Sequence, residues 1–166
     1  DLSQKTRDML EAQVLYRCLQ KDIQRLASLQ PEADGLPNYV ASAYEKVQDL
    51  RYGENWHQRA ALYTNDQGLG LPSARKLNGR EMSYNNMVDA ETVLEMLIDL
   101  SEYDGEACNR PLTVIVKHAN PCGVAYGASL DEAYRLSFAT DPKSAFGGVI
   151  GFNRMVDVKT AQCIGD

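Results

Sequence analysis

Along the first thirty residues, apolar side chains recur at helical spacing: Leu10, Val14, Leu15, Cys18, Leu19, Ile23, Leu26 and Leu29. Ser3 precedes them with the hydroxyl that a helix N-terminus needs, so the pattern predicts an amphipathic helix from Ser3 to about Leu29. Its apolar face suits packing on its own domain, with a partner helix as the alternative. The stretch from Gln30 to Asn38 is rich in breakers and reads as a connector. Tyr44, Val47 and Leu50 are placed to end a strand that carries Arg51 and Tyr52 toward solvent, and Ala60 to Tyr63 is a second short apolar segment. Gln67 to Pro72 is a loop whose glycines do not form G-x-G-x-x-G, which leaves no dinucleotide fingerprint.

The second half is more regular. Val93, Leu94, Leu97, Ile98 and Leu100 predict a helix from Asp89, its expected cap, to about Leu100. Glu102 to Arg110 is polar and reads as a surface loop. The β-branched run from Leu112 to Val116 predicts a strand buried on both faces, of the parallel kind. Ser129-Leu130-Asp131-Glu132 has the spacing of a capping box and opens a helix to about Ala139, ended by Thr140-Asp141-Pro142. Phe146 to Phe152 predicts another strand, and Asp157 to Ile164 a further helix. Strand–helix–strand at this spacing is a βαβ unit, so the expected class is α/β with a mainly parallel or mixed sheet.

Composition narrows the possible functions. The 166 residues are 44% hydrophobic and 24% charged, an ordinary globular balance able to bury a core. A net charge of −6 argues against a broad nucleic-acid-binding surface. No stretch approaches transmembrane length and the N-terminus shows no signal-peptide pattern; a cytosolic location is the expectation. The four cysteines, Cys18, Cys108, Cys122 and Cys163, show no C-x-x-C spacing and read as free thiols of a reducing compartment. The first residue is not methionine and the last falls inside a helical pattern, both as expected of a fragment.

The chemistry concentrates where the Leu112–Val116 run stops, at Lys117-His118-Ala119-Asn120-Pro121-Cys122-Gly123. Open α/β sheets place ligands at the carboxyl ends of strands. A lysine and a histidine delivered there can combine charge stabilisation with general acid–base catalysis. The chain has two histidines, and the other, His57, lies in a second polar cluster, Arg51-Tyr52-Gly53-Glu54-Asn55-Trp56-His57-Gln58. Taken alone, either cluster also fits surface polarity around a strand end.

Four blocks in register carry a resemblance: Leu50 to Gln58, Leu77-Asn78-Gly79-Arg80-Glu81-Met82-Ser83-Tyr84-Asn85-Asn86, Val116 to Ala125, and Thr140-Asp141-Pro142-Lys143-Ser144-Ala145-Phe146-Gly147-Gly148. Together they resemble the AICAR transformylase domain of the bifunctional purine biosynthesis proteins, whose N-terminal domain is an IMP cyclohydrolase. The resemblance implies transfer of a formyl group from 10-formyltetrahydrofolate, a co-substrate, to the 5-amino group of AICAR, with no metal. It implies a cytidine deaminase-like α/β/α subdomain, the first of two, over residues 31–166, preceded by a helix over residues 1–30. It further implies a homodimer with sites at the subunit interface, so that this chain alone would not turn over. Partners would be the two small-molecule substrates, with neither nucleic acid nor membrane.

Residue by residue, the resemblance makes His118 the proton-transfer group at the amine and Lys117 either the oxyanion stabiliser or the proton donor to the leaving nitrogen. Arg51 and Tyr52 would bind the nucleotide, the guanidinium suiting phosphate. Asn86 would bind the substrate, with helix capping as its alternative, and Gly147 would let backbone approach the ligand, with a simple turn as its alternative. Asn120 and Pro121 would shape the loop after the catalytic pair, and His57 and Gln58 stand beside the site without a role. Trp56 departs from the family, which usually has proline there. A zinc deaminase would need H-x-E and P-C-x-x-C; His118-Ala119-Asn120 lacks the glutamate and Pro121-Cys122-Gly123-Val124 the second cysteine. The remaining alternative is a non-catalytic interaction module.

Overall fold

The computed structural model describes residues 2–30, 36–65, 70–102 and 110–165. Parts of the expected loops (31–35, 66–69 and 103–109, the last with Cys108) lie outside the described residues. Two compact units emerge: residues 1–47 with 63–68, and residues 48–62 with 69–166.

The first unit holds helix α1, Gln4–Leu29, whose N-cap Ser3 accepts a hydrogen bond from the Thr6 amide at 3.2 Å, as the sequence predicts. None of its residues is buried, although Tyr16, Ile23 and Leu26 are half-buried. Gln30 pairs its side-chain amide with the Tyr39 backbone in both directions, at 2.9 and 3.0 Å. Strands β1, Glu45–Asp49, and β2, Ala61–Thr64, form a two-stranded sheet, of which residues 45–47 and 63–64 fall in this unit.

The second unit contains helix α2, Tyr84–Glu102, strands β3, Leu112–Lys117, and β4, Asn120–Tyr126, helices α3, Leu130–Thr140, and α4, Pro142–Ala145, strand β5, Val149–Phe152, and helix α5, Val158–Gly165. Its sheet has the order β4-β3-β5. Leu112 to Val116 of β3 are all fully buried. Side chains alternate across a strand, so Leu112, Val114 and Val116 pack with Val93, Met96, Leu97 and Leu100 of α2. Ile115 faces the opposite way, onto Tyr134 of α3, Ala145 of α4 and Cys163 of α5. The unit is therefore an α/β/α sandwich around one buried strand.

The expected parallel pairing is corrected. Both pairings of β3 are antiparallel: Leu112 opposes Tyr126 on β4 and Thr113 opposes Phe152 on β5. The chain reverses immediately after Lys117, and β4 occupies residues read from sequence as a loop. Asn120, Pro121, Cys122 and Gly123 have weak strand propensity, and the turn lacks the Asn-Gly signature of two-residue hairpins. Pro121 is tolerated because β4 lies at the sheet edge and the register slips there, leaving Cys122 as the extra residue. The crossover read as β3–α3–β5 instead runs from β4 through α3 to β5. Since both flank β3 antiparallel to it, those two strands run in the same direction.

Two helix starts differ from expectation and a third agrees with it. Helix α2 begins at Tyr84, one and a half turns before Asp89. At α3 the box is displaced: Glu132 accepts from the Ala128 amide at 2.7 Å, while Ser129 spends its hydroxyl on Asp131. Asp157 caps α5, accepting from the Thr160 amide at 2.7 Å.

Two contacts generate predictions. A Cβ at Gly123 would collide with the Ser137 carbonyl of α3, which is backbone and cannot rotate away. Gly123→Ala should therefore destabilise the second unit by about 1–3 kcal/mol, read as a lower midpoint in urea unfolding. Asp131, buried on α3, pairs with Arg135 and with Lys159 of α5. Its carboxyl is held below the ordinary range by the Ser129 hydroxyl, then by the hydrogen bond and charge of Lys159, with Arg135 adding to them. A folded pKa below the unfolded one gives stability that is full above the unfolded value and lost as pH falls through the folded one. Asp131→Asn should thus lower the Tm at neutral pH, and the gap from wild type should shrink below about pH 4.

Candidate functional site

All the candidate residues lie in the second unit, and several of them are tied to the first two turns of α2. Ser83, buried just ahead of the helix, and Asn86 cap it reciprocally. The Ser83 Oγ accepts from the Asn86 amide at 3.4 Å, and Asn86 Oδ1 accepts from the Ser83 amide at 3.2 Å and its hydroxyl at 3.0 Å. Asn86 thus performs the capping role that the sequence left open, with its amide oxygen committed to Ser83.

Arg51 and Tyr52 are pinned against this helix start. The Arg51 amide donates to the Met82 carbonyl at 2.9 Å, and the Tyr84 amide donates to the Tyr52 carbonyl at 3.0 Å. The exposed Arg51 guanidinium donates to the Tyr52 phenol at 3.1 Å and lies 4.8 Å from its ring centroid. The Ser83 hydroxyl and the Arg51 guanidinium together hold the Tyr52 phenol below its ordinary pKa.

The loop after Tyr52 is closed by Gln58. Its carbonyl accepts from the Gly53 amide at 2.9 Å, its own amide donates to Asn55, and its side-chain oxygen accepts from the Asn55 amide at 2.8 Å. Gln58 is therefore a loop brace, and Gly53 is small because a Cβ there would press on the Gln58 Cβ at 2.8 Å. Trp56 is 84% exposed and meets the His57 ring edge-on at 5.5 Å, so the loop carries the bulk of tryptophan on its surface.

The Lys117–Asn120 turn approaches the same helix from the sheet. His118 and Ala119 are its two central residues, with φ of 54° and 55°. Consecutive left-handed residues are the geometry of a type I′ hairpin turn, which favours Asn and Gly. For residues bearing a Cβ that conformation costs about 1–2 kcal/mol each. The turn is braced on two sides: Asn120 Nδ2 donates to the His118 carbonyl at 2.8 Å, and the Ala119 amide donates to Asp89 Oδ1 on α2 at 2.7 Å. His118 is thereby presented to solvent at the tip. The neighbouring Lys117 Nζ donates to the Phe146 carbonyl at 2.7 Å, which ties the turn to the segment ending in Gly147. Gly147 has φ of 77° between α4 and β5, and Phe146 beside it is 83% exposed. Asn120 and Pro121, expected to shape a loop, form the start of β4 instead.

The structure joins Lys117 to the Gly147 segment, the His118 turn to α2, and Arg51 and Tyr52 to the start of α2. The sequence did not single out Ser83, which caps α2 and lowers the Tyr52 phenol pKa, and it assigned Asp89 to a cap. The signal was present in Ser83 and Asn86, three apart, which start the helix early and put Asp89 on the face of Asn86. Among the described residues, no group of three or more His, Cys, Asp or Glu side chains could hold a metal ion, and no helix is long and apolar enough to cross a membrane. A hollow in the first unit, about 750 Å³ and lined by Gln13, Arg17, Lys21 and Glu45 among others, contains none of these residues.

The Tyr52 environment is directly testable. Ser83→Ala should raise the Tyr52 phenol toward its ordinary value of about 10, read by NMR titration of ring-labelled tyrosine, with Tyr52→Phe assigning the resonance.

An exposed histidine and a fixed ammonium at one strained turn, with an arginine–tyrosine pair on the same helix start, form an arrangement suited to an anionic substrate and a proton-transfer reaction. The whole chain, residues 1–166, matches the family described as the AICARFT/IMPCHase bienzyme. The protein belongs to that family of bifunctional enzymes of purine biosynthesis.

Proposed function

We propose that this chain serves the formyl-transfer activity of the bienzyme, with AICAR as acceptor, 10-formyltetrahydrofolate as donor and FAICAR as product. The observation that carries this reading is the strained turn that exposes His118 beside the anchored Lys117. The acceptor amine is a poor nucleophile because its lone pair is conjugated with the imidazole ring. As its nitrogen attacks the formyl carbon, His118 takes the amine proton as general base. The tetrahedral intermediate carries an oxyanion, and its collapse breaks the bond to the folate nitrogen, which leaves with a proton. Lys117 either stabilises that oxyanion or supplies that proton. Both tasks need a positioned cation, and the bond to the Phe146 carbonyl positions it.

Arg51 would take the phosphate and the Tyr52 phenol would act beside it. With its oxygen engaged by Ser83, Asn86 retains Nδ2 to donate to the carboxamide. Gly147 would let its backbone approach the ligand. The reading also takes the enzyme as a cytosolic homodimer that needs no metal and binds neither nucleic acid nor membrane.

Calorimetric titration of this chain with AICAR tests the nucleotide site. Saturable binding is expected, weakened about tenfold or more by Arg51→Ala and little by His118→Ala; a folded chain that does not bind would remove the site from this segment. In the full-length gene product, His118→Ala should lower the formyl-transfer kcat roughly 100- to 10,000-fold. Residues 1–166 alone should not turn over, and formyl transfer by the isolated chain would refute the need for further groups.

A further inference from the structure

We propose that Asp89 is a positioning residue that holds the His118 turn in its left-handed conformation, an inference that rests on the formyl-transfer reading above. Three observations meet at this residue. First, His118 and Ala119 both occupy the left-handed region although neither is glycine or asparagine. Backbone strain of this kind persists only where surrounding contacts impose it, and it gathers at functional sites. Second, in a two-residue hairpin the amide of the second central residue points away from the ladder and finds no partner within the turn. Here that amide, of Ala119, is taken by Asp89 Oδ1 at 2.7 Å. Third, Asp89 is a helical residue, one turn beyond the Ser83–Asn86 cap that also organises Arg51 and Tyr52. A rigid helix therefore sets the position of the catalytic histidine relative to the nucleotide-binding pair.

The opposite edge of the turn is fixed separately. Asn120 holds the His118 carbonyl and Lys117 holds the Phe146 carbonyl. Neither bond reaches the Ala119 amide, so loss of the Asp89 carboxylate leaves the strained residue without its anchor while the sheet remains paired. Asp89 touches the backbone of the turn rather than the substrate. Its removal should consequently misplace His118 in the reacting complex without removing any group that binds AICAR. A displacement on the order of 1 Å at a catalytic group costs about 100-fold in rate.

The test is steady-state kinetics of formyl transfer to AICAR by the full-length gene product, paired with amide exchange at Ala119. Asp89→Ala should lower kcat roughly 10- to 100-fold, leave the KM for AICAR within about threefold, and expose the Ala119 amide to exchange. Asp89→Asn, whose amide oxygen can still accept the hydrogen bond, should recover most of the rate. Adding Ala119→Gly to Asp89→Ala should restore activity several-fold, because glycine adopts positive φ without steric cost. A kcat unchanged in Asp89→Ala would overturn the inference. So would a loss that neither Asp89→Asn nor Ala119→Gly relieves and that is matched by a rise in KM, since general structural damage moves both. Absence of formyl transfer by the wild-type protein would instead overturn the functional reading beneath it.

Discussion

Burial of Leu112 to Val116 in β3 organises the second unit. A strand shielded on both faces and paired on both edges has no backbone group left for solvent, so each amide and carbonyl needs a partner in the sheet. β4 and β5 supply those partners, and helices on either side supply the apolar cover. The direction, depth and end of β3 are thereby fixed to within a residue. Lys117 and His118, the next two residues after Val116, are therefore delivered from a rigid element.

Rigid delivery has a cost that is visible in the backbone. Turning the chain back at once, so that β4 can pair with β3, puts two Cβ-bearing residues in the left-handed region. The turn is stabilised from outside itself, by Asp89 on α2, by the Asn120 side chain, and next to it by the link from Lys117 to Phe146. Strain, bracing and chemistry coincide at the same four residues. The same helix start also secures Arg51, Tyr52 and, through Asn85 and Glu54, the loop that carries His57.

Much of this was legible in the chain. Helices α1 and α2 reveal themselves by period because each has an apolar stripe, α3 by its Ser129–Glu132 start, and β3 by a run rich in β-branched residues. The chemistry at Lys117-His118 could be located because polar residues abruptly end that run. The sheet direction was not legible: β4 opens with Asn, Pro, Cys and Gly, which pair by position in the register rather than by propensity. Nor was the work of Gln58 as a brace or of Asp89 as a tether, while capping by Asn86 was one of two readings the chain left open.

Sequence by itself determined the α/β class, the strand that forms the core, the places where polar chemistry gathers, and the family through four blocks in register. These are properties of local pattern, and local pattern survives without coordinates. Tertiary structure alone decided that the sheet is antiparallel, that His118 sits in a strained hairpin, and that α2 anchors both that turn and the Arg51–Tyr52 pair. Those outcomes depend on non-local hydrogen bonds, above all that between the Ala119 amide and Asp89, thirty residues earlier. A bond between residues that far apart leaves no periodic trace in the chain.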